Sequence, residues 1–218
     1  MMRFNEFTGR IQRRWRQYGA WQTLRFLLSR VLRHQEYLVF DVSLDAHRPR
    51  PEWRDGERVQ IIGPENIDSE VTPELRKFLG GEEAVENLAG VRRGDRLFVV
   101  KSERGYLHGG YIFFETKQTR ILGETGKPPL IGCCGTAQFA QGRGLYRRAL
   151  NAELCYLKDR GYSRALIETS PKNIPSRKGI EAAGFRLCRQ VSAWIMLNLL
   201  VFQKYVEPSG TKWRIILF

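Results

Sequence analysis

The residues best suited to chemistry lie between positions 134 and 148. An apolar run, Leu130–Thr136, leads to Gln141-Gly142-Arg143-Gly144, and a segment of helical periodicity begins directly after. Glycines at such a junction let the backbone turn tightly and bring successive N–H groups close to an anion. The helix N-terminus adds partial positive charge. Arg143, Arg147 and Arg148 add full charges. A pyrophosphate suits this junction, although a turn set by packing alone would use the same two glycines.

The sequel narrows the choice. A short strand over 165–169 is followed by Asn173, Ser176 and then Glu181-Ala182-Ala183-Gly184-Phe185. Here the chain resembles the GNAT superfamily of acyl-CoA-dependent N-acyltransferases. That family's pyrophosphate loop reads Arg/Gln-x-x-Gly-x-Gly/Ala. It stands here as Gln141, Gly142, Arg143, Gly144, Leu145 and Tyr146. The second signature, an Asn, a small residue and a short helix closing in Gly-Phe, stands as Asn173, Ser176, Gly184 and Phe185. The resemblance covers 134–186 by motif and 58–206 by element order. It departs at two positions. Tyr146 replaces a small residue, so its side chain covers the cofactor instead of leaving room beside it. Ile180 stands where the family often carries a Tyr that protonates the departing thiolate.

The resemblance implies an acyltransferase using acetyl-CoA or another acyl-CoA, with no metal, and a primary amine of a small molecule or sugar-type acceptor. The strand holding Cys134 and Thr136 would splay from the strand over 166–169, and the pantetheine arm would bond to the opened backbone. N–H groups near Cys134 and Thr136 would polarise the thioester carbonyl. Residues 141–146 would hold the pyrophosphate, and Asn173, with Ser176 nearby, would contact the amide-rich arm. The amine must attack as the neutral base, so a group must accept its proton. Glu115 and Glu168 are the carboxylate candidates, each of which could equally form a structural ion pair. Tyr162, Tyr111 and His108 are alternative proton-handling groups. A non-catalytic GNAT-like module, docked through a basic helix, is the competing reading.

The elements that must position these residues follow from periodicity and turn chemistry. Strands are expected over 58–62, 96–102, 106–114, 130–136, 165–169, 185–196 and 199–206. Helices are expected from Pro73, capped by Thr72 and interrupted at Gly80-Gly81, and over 145–160 and 175–183. With the resemblance, this reads as an α+β GNAT-like domain over 57–218: a mixed, mostly antiparallel sheet flanked by helices. Residues 1–56 read as a basic helical arm and linker. Ala20, Trp21, Leu24, Leu27, Leu28, Val31 and Leu32 recur at helical spacing, with Arg30 and Arg33 opposite.

The 218 residues carry a formal net charge of +13, unevenly spread. Residues 1–34 hold +7, 35–141 hold −3 and 142–218 hold +9. The last block matches a cofactor with a pyrophosphate and a 3′-phosphate, drawing on Arg143, Arg147, Arg148, Lys172 and Arg177. The first block suits docking to an anionic membrane surface or an acidic partner, or packing on the domain or on a second subunit in a homodimer. Nucleic acid is disfavoured, because no RNA-binding signature accompanies the arginines. The four cysteines form no CxxC pair and lie far from the three histidines, which argues against zinc. As buried free thiols they would favour a reducing cytoplasm. The longest apolar stretch, 191–202, falls short of the ~20 residues of a membrane span.

Overall fold

The computed structural model describes residues 32–217, apart from 47–51, 55, 82–83, 125 and 198–199, together with Gly19. In chain order the elements are β1 (Leu32–Ser43), β2 (Arg58–Ile62), α1 (Ile67–Glu70), α2 (Pro73–Phe78), α3 (Ala84–Arg93), β3 (Arg96–Ser102), β4 (Gly105–Phe113), α4 (Lys117–Ile121), β5 (Leu130–Thr136), α5 (Leu145–Asp159), β6 (Arg164–Thr169), α6 (Ile174–Ala182), β7 (Arg186–Met196), β8 (Leu200–Glu207) and β9 (Gly210–Leu217). The strands form one nine-stranded sheet in the order β2-β3-β4-β5-β6-β1-β7-β8-β9. Every pairing is antiparallel except β5 with β6.

Alternation along the strands divides the core into two layers. On one face Phe40, Phe98, Ile112, Ile131 and Ile167 pack with Leu150, Leu154 and Leu157 of α5 and Ile180 of α6. On the other face Leu97, Val99 and Tyr111 pack with Leu75 of α2 and Leu88 and Val91 of α3. Val39, Leu130, Leu166, Val191 and Val201 continue that second layer with Leu122 after α4. Burying each such aliphatic side chain contributes roughly 1.5–3 kcal/mol, so the two layers fix the sheet between its helices.

The local signals act as read. Thr72 accepts the Leu75 amide at 3.2 Å and caps α2. Gly161, at φ 79°, follows the end of α5. Four elements differ from expectation: the short helices α1 and α4, the strand β1 and the strand β9. Leu32 and Arg33 belong to β1, not to a helix, and β1 lies in the sheet between β6 and β7. Residues 32–43 thereby join the domain expected to begin at 57. β9 extends the sheet beyond the last expected strand. The remainder of the expected basic helix, 20–31, and the arginine-rich stretch before it lie outside the described residues. Among the described residues, no helix is long and apolar enough to cross a membrane.

Candidate active site

The site begins where β5 and β6 part. They pair at Leu130↔Leu166 and Ile131↔Ile167, and beyond these positions both strands run on with edges open toward each other. Within β5 the register against β4 shifts: Gly132 faces Tyr111 and Gly135 faces Gly109, so Cys133 and Cys134 together oppose Gly110. This is a β-bulge, and Cys133 carries it at φ 50°, a conformation uncommon outside glycine. A bulge leaves backbone groups out of the ladder, here in the stretch of β5 that has stopped pairing with β6.

β5 runs through a 3-10 turn, Gln138–Ala140, into the glycine loop. Gly142 and Gly144 both sit in the left-handed region, at φ 73° and 69°. This lets the chain reverse and enter α5 with Gly144 as its N-cap and no side-chain capping bond to the first N–H groups. Those groups are the ones a helix leaves without internal partners. Gln141 Nε2 donates to the Thr136 carbonyl at 3.2 Å, tying loop to strand. Arg143 and Arg147 are exposed beside it. Arg148 is not available to an anion. It is buried, paired with Glu57 at 2.8 Å, and donates to the Arg143 carbonyl at 2.8 Å. It buttresses the loop from behind.

On the α5 side of the sheet a polar cluster lies under the loop. His108 and the Thr136 hydroxyl are 2.8 Å apart, and the His108 ring lies 5.7 Å from that of Tyr146. Burial pulls the imidazole down to about 4, so it is neutral at physiological pH. The Tyr146 hydroxyl meets Ser176 at 3.3 Å and also the Cys134 thiol. Its ring lies over Gly179 of α6, where an added Cβ would stand 2.4 Å from Tyr146 Cδ1. Glu153, seven residues along α5, is fully buried against Gly110 and Cys134, and burial holds its carboxyl well above the usual range. Burial likewise raises the Cys134 thiol and the Tyr146 phenol. Asn173 accepts the Ser176 amide at 3.2 Å and caps α6.

The opposite face opens into a cleft of about 310 Å³ lined by Phe78, Leu79, Gly109, Cys133, Gly135, Thr136 and Ala137. Glu168 reaches the same face from β6, close enough to interact with Cys133 and Tyr37. Burial lifts its carboxyl from 4.5 to about 7.

The structure brings Cys134, Thr136, Tyr146, Asn173, Ser176 and Glu168 to the parting of β5 and β6, with Gln141, Gly142, Arg143 and Gly144 in the loop that follows β5, while the Leu145 side chain is buried with Val100, Leu107 and Ala149. It does not bring Glu115 or Tyr162 there. Glu115 lies past β4, exposed and 2.8 Å from Lys127, which holds its carboxyl below the usual range. Tyr162 precedes β6 and stacks on Phe114. From the strand registers, both sit about 15–25 Å from the bulge, at the far end of the sheet. The cysteines are all free, but Cys133 is exposed and the other three only partly buried, unlike the buried thiols expected. The bulge, the Glu57 buttress and the cleft wall from α2 were not read from the sequence. Only Glu153 left a trace, in its seven-residue spacing from Tyr146.

No family model and no curated protein matches the chain. Solved structures do. A GNAT-family protein from Novosphingobium aromaticivorans is similar at TM-score 0.52 and 15% identity, over 73% of this chain and 63% of its own. A tandem GNAT protein from the clavulanic acid biosynthesis pathway is similar at 0.50 and 17%, over 80% of this chain and 54% of its own. A Drosophila protein is similar at 0.53 and 12%, over 79% and 55%. The chain thus spans between half and two thirds of the length of these structures. Its fold is that of the GNAT acetyltransferases.

Proposed function

We propose that the chain transfers an acyl group, acetyl or a homologue, from an acyl-CoA thioester to a primary amine of a small-molecule or sugar-type acceptor. The observation that supports this most is the bulge at Cys133 and Cys134, in the stretch of β5 that no longer pairs with β6 and a few residues from the glycine loop. One strand thereby offers backbone donors for a carbonyl, and the following turn offers donors for a pyrophosphate.

In this reading the N–H groups from Gly142 to Tyr146 and the side chains of Arg143 and Arg147 hold the pyrophosphate. The pantetheine arm lies along the open edges of β5 and β6, bonded as an added strand. The bulge N–H groups polarise the thioester carbonyl. The amine attacks from the Glu168 face, and Glu168 accepts its proton. A base titrating near 7 is partly ionised at neutral pH and strong enough to take a proton as the C–N bond forms. The tetrahedral intermediate collapses, the C–S bond breaks, and the thiolate takes a proton from the Tyr146 hydroxyl, the neutral O–H beside Cys134. Ser176, 3.3 Å from that hydroxyl, relays a proton from water back to Tyr146, and Glu168 gives the amine's proton to water. His108 and Glu153 are buried and neutral, and brace the ring and the strand.

Free thiols and a coenzyme A substrate fit a cytoplasmic enzyme. The basic segment 1–34 would dock it to an anionic membrane surface or an acidic protein. The test is release of free thiol from acetyl-CoA across a panel of primary amines, including amino sugars. Turnover with any of them supports the reading. Binding of coenzyme A without turnover on any amine refutes it and favours a non-catalytic binding module.

A further inference from the structure

The cleft behind the bulge is larger than an acetyl group needs. At about 310 Å³ it is roughly ten times the ~30 Å³ that a water-sized group occupies in a liquid. Its walls are chiefly Phe78 and Leu79 from the end of α2, with Ala137, and its floor is the facing pair Gly109 and Gly135. The two glycines differ. An added Cβ at Gly109 would stand 2.8 Å from Leu79 Cδ2, so that position is already filled by α2. A Cβ at Gly135 would meet nothing within 4 Å, so there the floor is open.

Direction follows from the pleat. Cys134 turns toward Tyr146 and Glu153, on the side where the glycine loop and α6 lie. Cys133, its neighbour in the bulge, lines the cleft on the other side. A thioester carbonyl held by the bulge has two substituents. The sulfur must leave toward the loop that holds the rest of the cofactor. The acyl chain must then leave on the opposite side, into the cleft.

We propose that this cleft is an acyl-chain subsite, and that the chain prefers a straight aliphatic acyl group longer than acetyl. The inference rests on the acyl-CoA reading above. Beyond the carbonyl, the groups it meets are Phe78, Leu79 and Ala137, and the absent side chain of Gly135 sets the room available. Glu168 and the amine approach beside it, at the open edge.

The test is calorimetric titration of the full chain with coenzyme A, acetyl-CoA, butyryl-CoA and hexanoyl-CoA. Each buried methylene should strengthen binding about fourfold, so butyryl-CoA, with two more than acetyl-CoA, should bind about fifteenfold more tightly. Gly135→Leu puts a side chain into the open floor without a strained backbone. It should remove the butyryl advantage and leave coenzyme A affinity within about twofold. Leu79→Ala widens the wall and should move the preference toward hexanoyl-CoA, which serves if Gly135→Leu fails to fold. Equal affinity for all three thioesters, or tighter binding of acetyl-CoA, overturns the subsite while leaving the acyl-CoA reading intact. Failure of coenzyme A itself to bind overturns that reading instead.

Discussion

Replacing Glu168 by Gln should make the protein more stable and less active, and the size of the gain should depend on pH. The carboxyl is held near 7 by burial, against 4.5 for an unperturbed Glu. Between those values the folded protein keeps a proton that the unfolded chain has lost, so stability falls as pH rises through the window. Below about 4.5 both states are neutral and the side chain carries no ionic penalty. Above about 7 the folded carboxyl is ionised and the full penalty is present. Moving a pKa from 4.5 to about 7 corresponds to about 3 kcal/mol. Gln keeps the shape and never ionises. Glu168→Gln should therefore match the parent near pH 4.5 and exceed it by as much as about 3 kcal/mol near pH 8. Urea denaturation followed by circular dichroism at the two pH values measures this. The same variant should lose about 10²–10⁴-fold in kcat, since it removes the carboxylate that accepts the amine's proton. A gain that does not change with pH, or a loss of stability at the higher pH, would refute burial as the cause and with it the assignment of Glu168 as a base poised near neutrality.

Other consequences are direct. Tyr146→Phe keeps the ring on Gly179 and removes the hydroxyl, so kcat should fall about 10²-fold while coenzyme A affinity changes little; thiol release and calorimetry read the two separately. Gly179→Ala puts a methyl 2.4 Å from the Tyr146 ring and should destabilise the protein by about 1–3 kcal/mol, seen as a lower melting temperature. Glu57→Leu leaves Arg148 buried without its carboxylate and should cost about 3–5 kcal/mol in urea denaturation, far more than removal of the exposed Glu115–Lys127 pair.

Local signals carried much of the design. The glycine loop, the Thr72 cap and α5 with Gly161 at its end all rest on contiguous residues, whereas the parting of β5 from β6 follows only from the family resemblance. What escaped depends on distant pairing. β1 reads poorly because Val31 and Leu32 continue the helical stripe before it, and only its second half, from Leu38, is buried. Its neighbours in the sheet, β6 and β7, come more than a hundred residues later. The bulge had no marker, since Cys133 holds a left-handed backbone with no glycine to advertise it. Arg148 looked like a phosphate ligand from its place in the helix, and only the fold brings Glu57 to it. Glu115 reads as a candidate carboxylate of the third expected strand, but it lies past the end of β4, at the end of the sheet away from the bulge.

Titration of coenzyme A into the full chain and into Gly144→Val tests the central claim most directly. Valine at φ 69° costs about 1–2 kcal/mol of backbone strain and turns the loop N–H groups away from the anion, while its Cβ stands in ordinary contact, 3.8 Å from Arg148 Nη1, so the fold can keep it. The parent should bind with a dissociation constant between about 1 μM and 1 mM, and the variant should not bind. No heat from the parent with roughly millimolar ligand, or equal affinity in the two proteins, would contradict the claim.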